Sequence, residues 1–234
     1  MSNDIVGKFF QSEKIANHKE NETKILNNIF FEKIEFEPIV PKAILHKKAK
    51  VTDLISNVNA GGNLHLLMSK KLADIVRKHR KNGMQFFETS LITHDNKEIR
   101  GYLSLNMFVS NNEYIDIKNS IVRYDKKSED YNLTYKTKVE YTYFNDQTSF
   151  DEALQFATQN HETFYFSKIR LLNNIDEEFF MLRYVEGGAK YVVSEKLKKE
   201  IEDAGCTGIE FQPVDLSLTE WLQGGEREKI YGKA

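Results

Sequence analysis

The sequence contains few residues of the kinds that mark secreted or membrane proteins. It has one cysteine, Cys206, among 234 residues, and this excludes an intramolecular disulfide. No window reaches the roughly eighteen apolar residues that a membrane span needs, and residues 1–10 lack the apolar core of a signal peptide. We therefore expect a cytoplasmic protein that does not contact a membrane.

Sequence patterns for metal binding and catalysis are also missing. None of the six histidines lies four residues from another, the spacing that places two metal ligands on one helix face. Cys206 follows a predicted helix end, where the helix dipole disfavours a thiolate. Ser69 and Ser194 lie at strand-to-helix turns but lack the G-x-S-x-G surround of a nucleophilic serine. We expect no catalytic residue, no cofactor and no metal.

The charge balance does not indicate a nucleic-acid-binding protein. Lysine and arginine total 33, aspartate and glutamate total 35, and the net charge is -2. Aromatic residues make up 12% of the chain, and together with the β-branched residues they favour sheet. The chain has three prolines and no linker rich in Pro, Gly or Ser, so any lobes should pack as one body.

One stretch near the carboxyl end shows a clear element pattern. A β run ends at Ser194, which is placed to cap a helix whose apolar stripe is Leu197, Ile201 and Ala204. Glycines then end the helix, and residues 209–216 read as a second β run. The stretch therefore predicts a β-α-β unit.

The same pattern occurs 125 positions earlier. The identical residues are Ser69, Lys71, Leu72, Gly83, Phe86 and Leu91, opposite Ser194, Lys196, Leu197, Gly208, Phe211 and Leu216. Two related lobes would explain the match, and so would chance recurrence of a common motif. We expect an α+β fold of two β-α-β-containing lobes, a possible internal duplication, sharing a largely antiparallel sheet built from residues 98–146.

The remaining elements set the predicted boundaries. Residues 1–29 form an amino-terminal arm in which residues 12–28 read as a loose helix or a partly ordered segment, and a strand follows at 30–37. The domain spans 30–216, with lobe one at about 30–125 and lobe two at about 126–216. Alternation predicts a long strand at 131–144, and Ser149 is placed to cap a helix. Residues 217–234 form a capped helix and a charged tail.

Several short stretches, in order along residues 41–214, resemble a family of predicted immunity proteins of bacterial polymorphic toxin systems. They are KVTDL at 50–54, LLMSKKL at 66–72, QFF at 85–87, YIDIKNS at 114–120, EFFML at 178–182, VVSEKL at 192–197 and AGCTGIEFQPV at 204–214. The last stretch is the most specific. Glu88 replaces a usual proline, and the first forty residues and the tail match nothing in the family.

The resemblance implies a small cytoplasmic protein that binds and neutralises a cognate toxin domain without catalysis. The best acidic cluster is Asp176, Glu177 and Glu178, which would suit capture of a basic toxin, although a solvated turn would give the same pattern. An enzyme of unrecognised type and an adaptor or scaffold protein are the alternative functions. The resemblance names neither the toxin nor the oligomeric state.

Overall fold

The computed structural model describes residues 11–16, 24–26, 29–56, 65–127 and 137–232, and these contain eleven strands and five α-helices. The strands are β1 (Ser12–Ala16), β2 (Lys42–Leu45), β3 (Leu54–Ile55), β4 (Leu66–Ser69), β5 (Met84–Ile92), β6 (Glu98–Met107), β7 (Ile121–Lys127), β8 (Thr137–Thr142), β9 (Thr163–Lys168), β10 (Phe179–Val185) and β11 (Gly188–Val193). The helices are α1 (Lys70–His79), α2 (Gln147–Gln159), α3 (Glu195–Asp203), α4 (Leu218–Gln223) and α5 (Glu226–Tyr231).

The strands form two separate sheets. Sheet one has the order β1-β2-β5-β6-β4-β3, and sheet two has the order β11-β10-β9-β7-β8. Neighbouring strands are antiparallel except for the pairs β2–β5 and β9–β10. The predicted α+β class and the largely antiparallel pairing are confirmed. The expected shared sheet was wrong, because β6 belongs to sheet one whereas β7 and β8 belong to sheet two.

The two halves share a hydrophobic core instead of a sheet. Helices α1 and α3 both contribute to it, with Leu72, Val76, Leu197 and Ile201. Its strand residues come from both sheets and include Leu103, Leu105, Phe179 and Met181. On β10 the intervening residues Phe180 and Leu182 face a second core, which Phe150 of α2 completes. Because both faces of the first part of β10 are buried, residues 179–182 form a continuous apolar run.

The predicted serine caps are confirmed at both amphipathic helices. Ser69 Oγ accepts a hydrogen bond from Leu72 N at 3.2 Å, and Ser194 Oγ accepts one from Leu197 N at 3.1 Å. After α1 the chain forms β5, which runs parallel to β4 with β6 between them. After α3 it forms no strand, so the predicted β run at 209–216 was wrong. The repeat therefore covers a strand and a helix in each half, without the second exit strand.

Four other predictions of local structure need correction. Residues 12–16 form a strand and not a loose helix, and residues 30–37 form no strand. Helix α2 is capped by Asp146, whose carboxylate accepts from Ser149 N at 2.8 Å. The charged tail contains α5. Of the long strand predicted at 131–144, residues 137–142 form β8, and residues 131–136 lie outside the described part of the chain.

Candidate partner-binding surface

The acidic cluster predicted from the sequence lies against the carboxyl end of α1. Glu177 accepts a hydrogen bond from Arg80 Nη1 at 2.6 Å. Glu178 contacts His79 Nδ1 and accepts from Lys196 Nζ at 2.7 Å. Asp176 is exposed. Two of the three carboxylates are therefore engaged in ion pairs that join the two halves of the chain, and Asp176 faces solvent.

Arg80 is the buried cation of this contact. It is 6% exposed, and its guanidinium donates to Asn111 Oδ1 at 2.9 Å and to Phe179 O at 3.1 Å in addition to Glu177. A buried arginine needs such partners because an unpaired buried charge is strongly destabilising. Sequence reasoning missed this role because Arg80 and Glu177 are 97 residues apart.

His79 lies between two carboxylates, and its side chain is 6% exposed. Its Nδ1 contacts Glu178, and its Nε2 lies 2.7 Å from Glu200 on α3. Both nitrogens can donate only in the imidazolium form. Burial by itself lowers the pKa of His79, but the hydrogen bonds and charges of Glu178 and Glu200 outweigh it and raise the pKa above its usual value.

His79→Gln should therefore lower the melting temperature in a pH-dependent way, by about 3 °C or more at pH 6 and by less at pH 9. A raised pKa contributes stability that is complete below the unfolded value of about 6.5 and is lost as pH rises through the folded value. Thermal melts between pH 5 and pH 9 would measure this, with His94→Gln, in the turn after β5, as the control. An equal loss of melting temperature at pH 6 and pH 9 would contradict a stabilising role for protonated His79.

Asp53 joins three of the stretches that carry the family resemblance. Its Oδ1 accepts from Ser69 Oγ at 2.7 Å, its Oδ2 accepts from Thr207 N at 2.9 Å, and Lys71 Nζ lies 3.2 Å away. Burial raises the pKa of Asp53, but these hydrogen bonds and the Lys71 charge lower it below its usual value. The stretches at 50–54, 66–72 and 204–214 therefore meet at one structural contact.

The same region gives no sign of nucleophilic chemistry at Cys206. Burial and the nearby Asp53 charge raise the pKa of its thiol more than Lys71 lowers it, which disfavours the thiolate. Among the residues that the structure describes, no group of three or more His, Cys, Asp or Glu side chains could hold a metal ion. None of the described helices is long and apolar enough to cross a membrane.

Exposed apolar side chains mark one face of sheet two. On β8, Val139 and Tyr141 are 43% and 63% exposed, and they point the same way because they are two residues apart. Arg123 lies opposite Tyr141 on β7, and Asp125 holds its guanidinium with two hydrogen bonds of 2.8 and 2.9 Å. Among the described strands, β8 is at the edge of the sheet. Exposed tyrosine and arginine are typical of protein-binding surfaces, so this β8 face is a candidate contact.

A second candidate surface is a groove beside α1. It consists of two hollows of about 370 and 450 Å³ over β5 and β6, and Arg77 lines both of them. We call it the α1 groove. Its lining is mostly polar and charged, whereas the β8 face exposes the apolar side chain of Val139 and the ring of Tyr141.

These features define an α+β protein with two sheets and a shared core, and with surfaces suited to contact with another protein. A sequence model of an immunity protein family, Imm11, matches residues 33–216. The match covers well over half of the chain, and the chain belongs to this family. A comparison with curated proteins found no match.

Proposed function

We propose that this chain is a non-catalytic immunity protein that binds a cognate toxin domain of a bacterial polymorphic toxin system and neutralises it in the cytoplasm. The observation that carries the proposal is the family match over residues 33–216. Neutralisation by binding needs a complementary surface with a few strongly contributing residues, and it needs no reactive group. The β8 face and the α1 groove are consistent with that requirement.

The acidic cluster remains a proposed partner contact. Glu177 and Glu178 are paired with Arg80, His79 and Lys196, so Asp176 is the member best placed to meet a basic residue of a toxin. Exposed charges at the rim of an interface act mainly on the association rate. Asp176→Lys would therefore slow association with a basic toxin surface and leave the fold unchanged.

Co-expression with the toxin-like reading frame next to this gene tests the proposed function. The expected result is that the chain restores growth and forms a stable one-to-one complex with the toxin domain on size exclusion. Growth rescue without a complex would favour an enzyme that modifies the toxin or its target. Binding to several unrelated proteins would favour an adaptor. Failure to rescue growth against a toxin shown to be active would contradict immunity for that pair.

A further inference from the structure

The α1 groove has an excess of positive charge on a chain whose net charge is -2. Two carboxylates, Glu88 and Glu98, line it, and a third, Asp74 of α1, pairs with Lys70 and Arg77 at its edge. Five of its lining residues are cations other than Arg80, namely Lys42, Lys70, Arg77, Lys81 and Arg100. Arg80 also lines the second hollow, but Glu177 neutralises it. The groove is therefore a local cationic surface on a slightly acidic protein.

The carboxylates of the groove leave much of this charge available. Glu98 accepts from Lys42 Nζ and from Ser90 Oγ, each at 2.6 Å. Arg100 approaches Glu98 at 3.5 Å while its side chain stays 87% exposed. Lys70 lies 3.8 Å from Asp74 with 71% of its side chain exposed. Such loose surface pairs contribute little energy, so both cations can turn to an incoming partner.

Arg77 is held in position at the junction of the two hollows. Its guanidinium carbon lies 4.3 Å from the centre of the Phe86 ring, and its Nη1 donates to Asp74 at 3.0 Å. The side chain is 39% exposed. An arginine offers five N–H donors and pairs well with a carboxylate through two of them. A guanidinium that is already stacked loses less conformational entropy when it binds.

We propose that the α1 groove binds an acidic segment of the toxin domain, with Arg77 as the central contact and Lys70 and Arg100 beside it. This inference rests on the proposed function and names the surface and the charge of the partner. Charge complementarity is the argument for the occupant. Glu88 and Glu98 among the cations would repel a continuous phosphate backbone, whereas a protein segment can place its isolated carboxylates beside the cations and away from these two residues.

The test uses this chain and any toxin-like domain encoded next to its gene, purified with the active site inactivated. Arg77→Glu should weaken binding by about thirty-fold or more, as expected for a central arginine. Lys70→Glu/Arg100→Glu is the second variant, because both side chains are more than 70% exposed and their replacement should preserve the fold. Titration calorimetry at 50 and 300 mM salt should show weaker binding at high salt for the natural chain and a smaller salt effect for the variants.

The matched control is Lys229→Glu, a reversal of the same sign on α5, where the side chain is 70% exposed. It should bind the toxin domain like the natural chain. Circular dichroism would establish that each variant is folded. If Arg77→Glu is unfolded, the double variant decides the result.

The outcomes distinguish a failure of the groove proposal from a failure of the proposed immunity function. Binding by the natural chain that is unchanged in the folded groove variants would overturn the groove proposal and leave the immunity function standing. Loss of binding in Val139→Ala/Tyr141→Ala, with the groove variants unaffected, would assign the contact to the β8 face and would also overturn the groove proposal. No binding by the natural chain would overturn both proposals for that toxin. Loss in the groove variants, with Lys229→Glu unaffected, would support the groove.

Discussion

Gly208→Ala should lower the free energy of unfolding by about 3–5 kcal/mol. This cost is the sum of backbone strain and overpacking. Gly208 has φ +84°, a conformation that disfavours any residue with a side chain. A Cβ at this position would overlap the carbonyl oxygen of Leu54 and would lie 2.6 Å from Cβ of Thr52. The backbone strain and the steric overlap both raise the free energy of the folded variant, so the loss of stability should be large.

The neighbours of Gly208 cannot easily move aside. Thr52 is 5% exposed, its Oγ1 donates to Leu54 O at 2.6 Å, and its carbonyl accepts from Tyr102 Oη at 2.7 Å. Gln11 Nε2 also donates to Thr52 Oγ1 at 2.7 Å. A shift of Thr52 would therefore break hydrogen bonds to Leu54 of β3, to Tyr102 of β6 and to Gln11.

Gly205→Ala is the matched control for this prediction. Gly205 also has a positive φ, +64°, but a Cβ there would meet nothing within 4 Å. Its replacement should cost only the left-handed backbone penalty of about 1 kcal/mol. Urea unfolding of both variants gives the comparison. If Gly208→Ala costs no more than Gly205→Ala, Thr52 and Leu54 move aside at little cost, and the predicted steric overlap at residue 208 is wrong.

The sequence predicted the elements whose signals are local. Ser69 and Ser194 precede apolar stripes of helical spacing, and both helices begin where these serines indicate. In each case, the residues that decide the structure lie within a few positions of one another.

The errors arose where distant residues decide the structure. Residues 209–214 have strand-like composition, but Gly208, with its positive φ, places the chain against Thr52 and Leu54, and residues 209–214 pair with none of the described strands. Residues 12–16 lack an apolar stripe, yet they form β1 because β2 offers a pairing edge. A strand needs a partner, and the sequence of one segment does not identify it.

The candidate surfaces also combine features that the sequence shows locally with contacts between distant residues that it does not show. The acidic cluster at 176–178 was visible in the sequence, but its pairing with His79 and Arg80 was not. The α1 groove depends on Arg77 of α1 stacking on Phe86 of β5 and on Arg100 of β6 lying nearby. These residues are spread among ordinary surface charges in the sequence, and only the packing of α1 on sheet one brings them together.

Arg227→Met should also destabilise the chain by about 3–5 kcal/mol, because it removes the arginine charge and two hydrogen bonds from a buried carboxylate. Arg227 on α5 donates to Glu210 from Nε at 3.0 Å and from Nη2 at 2.7 Å. The two side chains are 3% and 9% exposed. Glu210 lies in the stretch at 204–214, so this pair attaches the carboxyl-terminal helix to the part of the chain that carries the most specific family resemblance.

Three further variants separate the pair from other effects of the substitution. Arg227→Met/Glu210→Leu removes both charges and should recover most of the lost stability, since replacing a whole buried pair by apolar residues is often neutral. Lys229→Met, on the same helix, breaks an ion pair with Glu226 that is 70% and 52% exposed, and it should cost less than about 1 kcal/mol. Tyr231→Phe removes the hydroxyl that accepts from Phe211 N at 2.8 Å and tests the second attachment point of α5. If Arg227→Met proves no more destabilising than Lys229→Met, α5 is not held to the core by this pair, and the 204–214 stretch must be stabilised by its contacts with Asp53 and Thr52.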